Sequence, residues 1–376
     1  MNNFVKIYVT GDLCIRSSSE ELVINGKSDT LFQTILSQFI NNDLNIVDLE
    51  CPLTTCVEGI LKTGPLLKAN PDSIKALTYL QVHLAAMSNN HIMDYNAEGL
   101  NDTIQTCRNA NVDVVGVGNS LTEARKPFYT EIKGIKIAVL NFSENEFAST
   151  YGEYPGANPL NLIDNYRDIL NAKKQADFVL LLFHGGNEFY ELPSPRIKQT
   201  CRFFVDAGVD AVVMHHTHAF SGYEVYSNKP IFYGLGNFNF DWDDRVNQQW
   251  NYGYTVRFIL SDNKIDFVVL PHVQSNGNPG TFPLQDDNKV LFFNNISELN
   301  RIIQNDAELE SRFVSFCKQK QRLYEMYLQP YSGKIMAPLF HKGILPDLFS
   351  NKKRKLILNL MRCESHRDIL FHLLNN

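Results

Sequence analysis

The spacing of apolar and polar positions changes repeatedly along the first two-thirds of the chain. Short apolar, β-branched runs occur at Val5–Thr10, Asn45–Asp48, His83–Met87, Val112–Val115, Ile135–Asn141, Phe178–Phe183 and Ala211–Met214. Others follow at Tyr223–Tyr226, Ile231–Tyr233, Tyr252–Leu260 and Ile265–Leu270. Between many of them, apolar residues recur every three to four positions, as at Leu31–Asn41, Gly99–Asn109, Asp164–Gln175 and Arg196–Ala207. That is the period of a helix with one buried face. Strands alternating with helices predict an α/β layered fold. The later runs follow one another without helices, so part of the sheet system is expected to be antiparallel. Ile132-Lys133-Gly134-Ile135 reads as a hairpin tip.

Near Ser275 the pattern changes. The stretch Ser275–Gly280 (SNGNPG) reads as a turn-forming linker. Beyond it, Asn294–Asn305, Ala307–Tyr327 and Lys352–Leu360 read as helices. The expected division is a domain over 1–273 and a mainly helical extension over 274–376. Lys352-Lys353-Arg354-Lys355 in that extension is either a solvated helix start or a contact for an acidic partner.

Composition narrows the classes. With 44% hydrophobic and 20% charged residues the chain is globular, which excludes general disorder. A net charge of −6 argues against non-specific binding of nucleic acid or anionic lipid. The longest aliphatic-aromatic run, Phe178–Phe183, is far too short for a membrane span. The N-terminus has no charged segment followed by an apolar one, so a signal peptide is not expected. Seven cysteines without a CxxC pair fit reduced thiols and a cytoplasmic address.

Candidate chemistry lies at the strand ends, where α/β sheets gather ligands. Val5–Thr10 runs into Gly11-Asp12, and Asn45–Asp48 into Leu49-Glu50. His83–Met87 leads to Ser88-Asn89-Asn90-His91, and Phe178–Phe183 to His184-Gly185-Gly186. Ala211–Met214 ends in His215-His216-Thr217-His218. Each alone has a plain structural reading, as a turn, a helix cap or a satisfied histidine. Three histidines within four positions after a buried strand are harder to explain that way, and in an extended stretch His216 and His218 share a face. If the strands are neighbours, the set converges on one rim. Mixed carboxylate, carboxamide and imidazole groups suit divalent manganese, zinc, iron or magnesium, as one ion or two.

Taken in order, these motifs resemble the CapA family of poly-γ-glutamate capsule biosynthesis proteins, a branch of the calcineurin-like metallophosphatase superfamily. The residues that carry the resemblance are Gly11-Asp12; Asn45 with Leu49-Glu50, Pro52 and Thr54; and Asn89-Asn90-His91 with Asp94. They continue with His184, Gly186, Glu188 and Pro193; His215-His216-Thr217-His218; and Leu235-Gly236-Asn237-Phe238 with Phe240-Asp241. The resemblance covers about Val5 to Asp241. It implies a four-layer α/β/β/α metallophosphatase-like sandwich with a C-terminal helical extension outside the matched region.

It also implies a dinuclear site. Asp12 and His218 would bind a first ion, Asn90, His184 and His216 a second, and Glu50 would bridge them. His91, oriented by Asp94, would stabilise transition-state charge or protonate the leaving group, and an ion-activated water would be the nucleophile. Ordinary metallophosphatases carry Asp-x-His in the first motif. Here the stretch is Asp12-Leu13-Cys14, which leaves either a one-ion centre or Cys14 as a ligand, against Cys14 as a buried thiol.

An anionic substrate calls for cationic walls. Arg16, Lys62, Lys68, Arg125 and Arg196 lie in loops that could border the rim, with Arg16 and Lys68 the foremost candidates. Glu188 would orient a ligand or bind an amine, and Asn237 would sit beside the rim. The favoured function is a metal-dependent hydrolase of a phosphoester or γ-glutamyl-type amide in capsule or cell-surface polymer metabolism. The alternatives are a non-hydrolytic polymer-binding component and a scaffold. The partners expected are an anionic small molecule or polymer, and capsule-synthesis proteins through the C-terminal extension.

Overall fold

The computed structural model describes residues 4–62, 64–261, 264–328 and 331–362. The chain forms two compact units, Met1–Leu309 and Glu310–Asn376. The first opens with β1 (Val5–Cys14), α1 (Ser17–Ile24), α2 (Ser28–Leu36), β2 (Leu44–Leu49), α3 (Ile74–Tyr79), β3 (Leu84–Ala86), α4 (Asn96–Asn109) and β4 (Asp113–Val115). It continues with β5 (Val117–Gly118), α5 (Leu121–Ala124), β6 (Phe128–Ile132), β7 (Ile135–Ser143), β8 (Gly156–Ala157), α6 (Leu162–Lys173), β9 (Phe178–His184), α7 (Pro195–Asp206) and β10 (Ala211–His215). Then come β11 (Tyr223–Tyr226), β12 (Lys229–Phe232), β13 (Asn237–Phe240), β14 (Tyr252–Ser261), β15 (Lys264–Gln274), β16 (Thr281–Pro283) and α8 (Asp286–Gln304).

One sheet has the order β16-β15-β14-β1-β2-β3-β4, and β13 also pairs with β1. β14 runs antiparallel to Val5–Val9, and β13 runs parallel to β1 from Asp12 to Cys14. The other sheet has the order β11-β12-β10-β9-β7-β6. The sheets face each other. Val5, Ile7 and Val9 of β1 share one core with Ile137, Val139, Leu180 and Val212. Tyr8, one residue out of phase, points the other way and packs on Phe39 beneath α2. That alternation is the pleat of a strand buried on both faces.

Helices cover both outer faces. Phe32 and Ile35 of α2 and Leu100 and Ile104 of α4 join the core on the Tyr8 side. Ile169 of α6 and Ile197, Cys201 and Phe204 of α7 join the other. The expected four-layer α/β/β/α sandwich is therefore the fold. Local signals set the helix starts. Pro195 opens α7, where its missing N–H costs nothing, and Ser194 accepts from the Ile197 amide. Asn161 caps α6 through the Ile163 and Asp164 amides.

The hairpin at Lys133-Gly134 is present, both residues having positive φ. The late strands β14, β15 and β16 are antiparallel, as their pattern predicts. Ser275–Gly280 joins β15 to β16, which pair with each other, so the sheet continues across this turn. α8 belongs to the first unit and buries Phe292 against Phe220 and Tyr254. The periodic stretch Leu31–Asn41 yields a shorter helix, which ends at Leu36. α9 (Asp306–Leu328) leads into the second unit, which also holds α10 (Met336–His341) and α11 (Asn351–Arg362). There Arg322 donates to the Phe340 carbonyl at 3.1 Å, and Phe340 is buried. Residues 363–376 of the expected extension lie outside the described residues.

Candidate metal centre

The site forms where the parallel strands of both sheets end. Asp12 and Asp48 are in register on β1 and β2, so both side chains face the opposing sheet. Glu50 follows β2. His184 and His215 are in register at the ends of β9 and β10. Asn90 and His91 come from the loop after β3. All of these groups are buried.

The distances are short. His218 Nδ1 lies 3.3 Å from Asp12 Oδ2, and its Nε2 lies 3.5 Å from Glu50 Oε1. His184 Nε2 is 3.1 Å from Asn90 Oδ1 and 4.0 Å from Glu50 Oε1. His184 Nδ1 is 3.3 Å from Asp48 Oδ2. The His184 and His216 rings are 4.9 Å apart between centroids. Three overlapping groups have ligand atoms within 4.8 Å of one another: Glu50, His184, His216; Asp12, Asp48, His184; and Asp12, Glu50, His218. Glu50 is shared by two of them.

The route to this convergence differs from the extended stretch expected for His216 and His218. β10 stops at His215, and His216 and His218 have φ of 91° and 53°. Two non-glycine residues in the left-handed region are costly, about 1–3 kcal/mol each, and persist only where surroundings hold them. The Asp12 carboxylate accepts from the His216 amide at 3.2 Å. Asn237 Oδ1 contacts His218 Nδ1 at 2.9 Å.

The surroundings set the protonation states. Burial raises the Asp12 carboxyl, but the hydrogen bond and charge of His218 outweigh it and hold the group at about 2. Burial pulls His218 down, and Asp12 more than restores it above the usual imidazole range. These two form an internal ion pair. Burial pushes Asp48 up to about 8, against His215 and with the Asp12 charge adding. Burial and the charges of Asp12 and Asp48 drive Glu50 well above the usual carboxyl range. Burial holds His184 and His216 down at about 3, so both imidazoles are neutral.

The donor set fits a divalent cation. Both carboxylate oxygens of Asp48 and of Glu50, and Nδ1 of His184 and His216, are buried with no hydrogen-bond partner. Each such orphan costs about 1–3 kcal/mol. Neutral imidazoles and carboxyl groups at this spacing could hold a divalent ion, which would displace the carboxyl protons. Cys14 and Cys51 belong instead to the buried core on the Tyr8 side. Asp48 is the residue that the sequence reading missed. Its signal is a carboxylate inside the apolar run Asn45–Leu49, two positions before Glu50 and so on the same face.

Beside the centre, His91 Nδ1 is 2.7 Å from Asp94 Oδ2. Lys62 Nζ is 2.5 Å from Asp94 Oδ1 and 3.2 Å from His91 Nδ1. Its side chain is almost fully buried, so Lys62 is the lysine that enters the site. Lys68 does not: it donates to the Cys56 carbonyl and stacks on Tyr95. Arg125 pairs with Asp164 and Asp168, and Arg196 with Glu144. Arg16 stacks on Trp242. Asn237 is fully buried behind His218, donating to the Trp250 carbonyl at 3.1 Å, so it supports the histidine and offers no face to a substrate. Glu188 is exposed, and its charge reaches Glu50, His216 and His218.

Two facing sheets flanked by helices make a metallophosphatase-like fold, and the carboxylate–imidazole cluster at its strand ends could hold a metal. Residues 6–242 match the family described as Bacterial capsule synthesis protein PGA_cap, and the chain belongs to it. It is 34% identical over 236 residues to the PGA biosynthesis protein CapA of Bacillus subtilis, covering 61% of this chain and 62% of that protein. It is 30% identical over 304 residues to the capsule biosynthesis protein CapA of Bacillus anthracis, covering 77% of this chain and 72% of that one. The match to the first of these thus spans less than two-thirds of its length. A hypothetical protein from Thermus thermophilus superposes at TM-score 0.42 and 14% identity, over 71% of this chain and 99% of that one. A 5'-nucleotidase from Candida albicans does so at 0.40 and 12%, over 86% and 58%. Among the described residues no helix is long and apolar enough to cross a membrane.

Proposed function

We propose that this protein is a metal-dependent hydrolase of capsule-polymer metabolism that cleaves a γ-glutamyl-type amide. The observation that carries the reading is the set of orphaned oxygens and ring nitrogens on Asp48, Glu50, His184 and His216. Asp12, Glu50 and His218 would hold one ion, and Asn90, His184 and His216 a second, with Glu50 shared and Asp48 a further donor beside Asp12 and His184. Bound divalent ions supply Lewis acidity and make a water nucleophilic near neutral pH. The chain's own residues do the rest. Asp94 engages Nδ1 of His91 and leaves Nε2 as the atom that carries a proton to or from the reacting group. Lys62 balances the Asp94 charge inside the protein. Burial of the centre excludes bulk water and strengthens every charge interaction there. The choice of an amide over a phosphoester follows the relatives, which are named for PGA and capsule biosynthesis, with PGA read here as poly-γ-glutamate.

The same relatives are named for synthesis, which favours polymer binding without cleavage as the second reading. One experiment separates the two. Metal content and hydrolysis of a γ-glutamyl oligopeptide and of a phosphodiester are measured for wild type, Glu50→Ala and His216→Ala. Near-stoichiometric metal and peptide cleavage in wild type, both lost in the variants, is expected. Cleavage of the phosphodiester alone would reassign the bond. Metal without cleavage of either would leave the binding reading.

A further inference from the structure

The chain has two tryptophans, Trp242 and Trp250; Trp250 stands beside the centre and Trp242 packs against Trp250. The Trp250 ring is 4.7 Å from that of His218, and its Nε1 is tied to the Phe240 carbonyl at 2.9 Å. Beyond it lies Arg245, whose Cζ is 4.1 Å from the Trp250 ring centroid, 4.8 Å from Phe189 and 5.3 Å from Trp242. Arg16, from the segment that leaves β1, lies 4.1 Å from the Trp242 ring. Two guanidinium groups thus lie against the Trp242 indole, and Trp250, 5.7 Å from Trp242 between ring centroids, links them to the candidate ligand His218. The Arg245 loop is fixed: Asn251 donates to the Arg245 carbonyl at 2.9 Å and reaches the Gln274 carbonyl with the same amide.

What these arginines lack is an anion. Among the described residues no carboxylate lies within 4.0 Å of either guanidinium. Neither guanidinium has a hydrogen-bond acceptor there, and Arg16 Nη1 is buried without a partner. Glu188 lies near enough to act on Arg245, and Asp241 feels Arg16, but neither closes an ion pair. Ring stacking covers the flat faces of a guanidinium and leaves its in-plane N–H fork free. A held, partly desolvated fork is a bidentate receptor for a carboxylate.

We infer that Arg16, Arg245 and the two tryptophans form a carboxylate-binding subsite, which holds a free carboxylate of a glutamyl chain next to the bond presented to the centre. This rests on the glutamyl-amide reading above for its ligand. It does not rest on cleavage. Sequence reasoning placed Arg16 at a substrate wall, but nothing in the spacing pointed to Arg245, which follows the last motif in a loop without one of its own.

Because both tryptophans are in the subsite, intrinsic fluorescence reads it directly. The metal-loaded full chain is titrated with a γ-glutamyl hexapeptide, with the same peptide as its α-carboxamide, and with inorganic phosphate. A saturable fluorescence change with the carboxylate form is expected, with about tenfold or greater weakening for the carboxamide, for Arg245→Met and for Arg16→Met. Arg245→Lys should recover less than the full affinity, because an ammonium lacks the fork. The carboxamide comparison uses wild type alone, so it stands even if a variant fails to fold. Equal binding of the carboxamide, equal competition by phosphate, or affinity unchanged within twofold in both folded arginine variants would overturn the subsite. Arginine-dependent binding without peptide cleavage would keep the subsite and reject the hydrolase. Cleavage that is indifferent to both arginines would do the reverse.

Discussion

Gly11→Ala tests how tightly the first motif is built. A Cβ on Gly11 would stand 1.9 Å from the Gly236 carbonyl oxygen, where real contacts do not fall below about 3.0 Å. The backbones of β1 and the segment before β13 must therefore part by roughly 1 Å, a case of overpacking. That carbonyl accepts the Asp12 amide at 3.1 Å, so the shift also breaks the hydrogen bond that seats Asp12. Overpacking of this kind costs about 1–3 kcal/mol, and the lost hydrogen bond about 1 more. The expected total is about 2–4 kcal/mol. Ligand positions are held to about 0.2 Å in metal sites, so moving Asp12 by roughly 1 Å should weaken metal binding at least tenfold. Urea unfolding in EDTA measures the first quantity, and calorimetric titration with manganese or zinc the second. Stability within about 0.5 kcal/mol of wild type, with unchanged metal affinity, would refute the reasoning; a stable variant with weakened metal binding would show that the strain is absorbed locally at Asp12.

Two further perturbations follow from the charges. Lys62→Met leaves Asp94 buried without its cation, and removing one partner of a buried pair costs about 3 kcal/mol; urea unfolding at pH 7 checks it, and a loss under about 1 kcal/mol would contradict it. The second concerns pH. Asp48 is held at about 8 when folded, so the folded chain keeps a proton that the unfolded chain releases, and this stabilisation is lost as pH rises through 8. His184 and His216 are held at about 3, so below the usual imidazole value of 6.5 the unfolded chain takes up protons that the folded chain refuses, and stability falls as pH drops. In EDTA the melting temperature should therefore decline from pH 6.5 to 8, where the carboxyl effect acts without the imidazoles. Added metal should lift this alkaline limb most, because it replaces the protons on Asp48 and Glu50. A metal-free melting temperature that climbs from pH 6.5 to 8 would sink this account.

The layered fold was legible because its strands are short, apolar and separated by helical periods. β1, β2, β9 and β10 fall on the predicted runs, and their ends carry the residues that converge. What was not legible is how far each side chain travels. His216 and His218 look like a pleated pair, yet they reach the centre through a left-handed turn held by Asp12 and Asn237. Lys62 and Lys68 have similar loop settings, and only the fold shows which one is buried against Asp94. Arg245 is flanked by Trp242 and Trp250 of its own loop, but Phe189 reaches it from a segment distant in sequence, a contact that no local pattern encodes.

Asp48 changes what the missing histidine of the first motif means. An Asp-x-His pair supplies two ligands from one strand end, and Leu13-Cys14 cannot. Cys14 turns into the core with Cys51, so it does not compensate. Asp48 stands in register with Asp12 on the neighbouring strand, 3.3 Å from His184, with both oxygens unpaired. A carboxylate there adds a donor from the adjacent strand, within reach of Asp12 and His184. It also changes the charge balance. Three carboxylates, on Asp12, Asp48 and Glu50, face the same small volume, and two are held protonated only because they are buried together. Such a cluster is stable without a cation only in its protonated form, so cation binding and proton release must be coupled. An imidazole in place of Asp48 would bind metal with less proton release, and the number of protons displaced on metal addition at pH 7 therefore distinguishes the two designs.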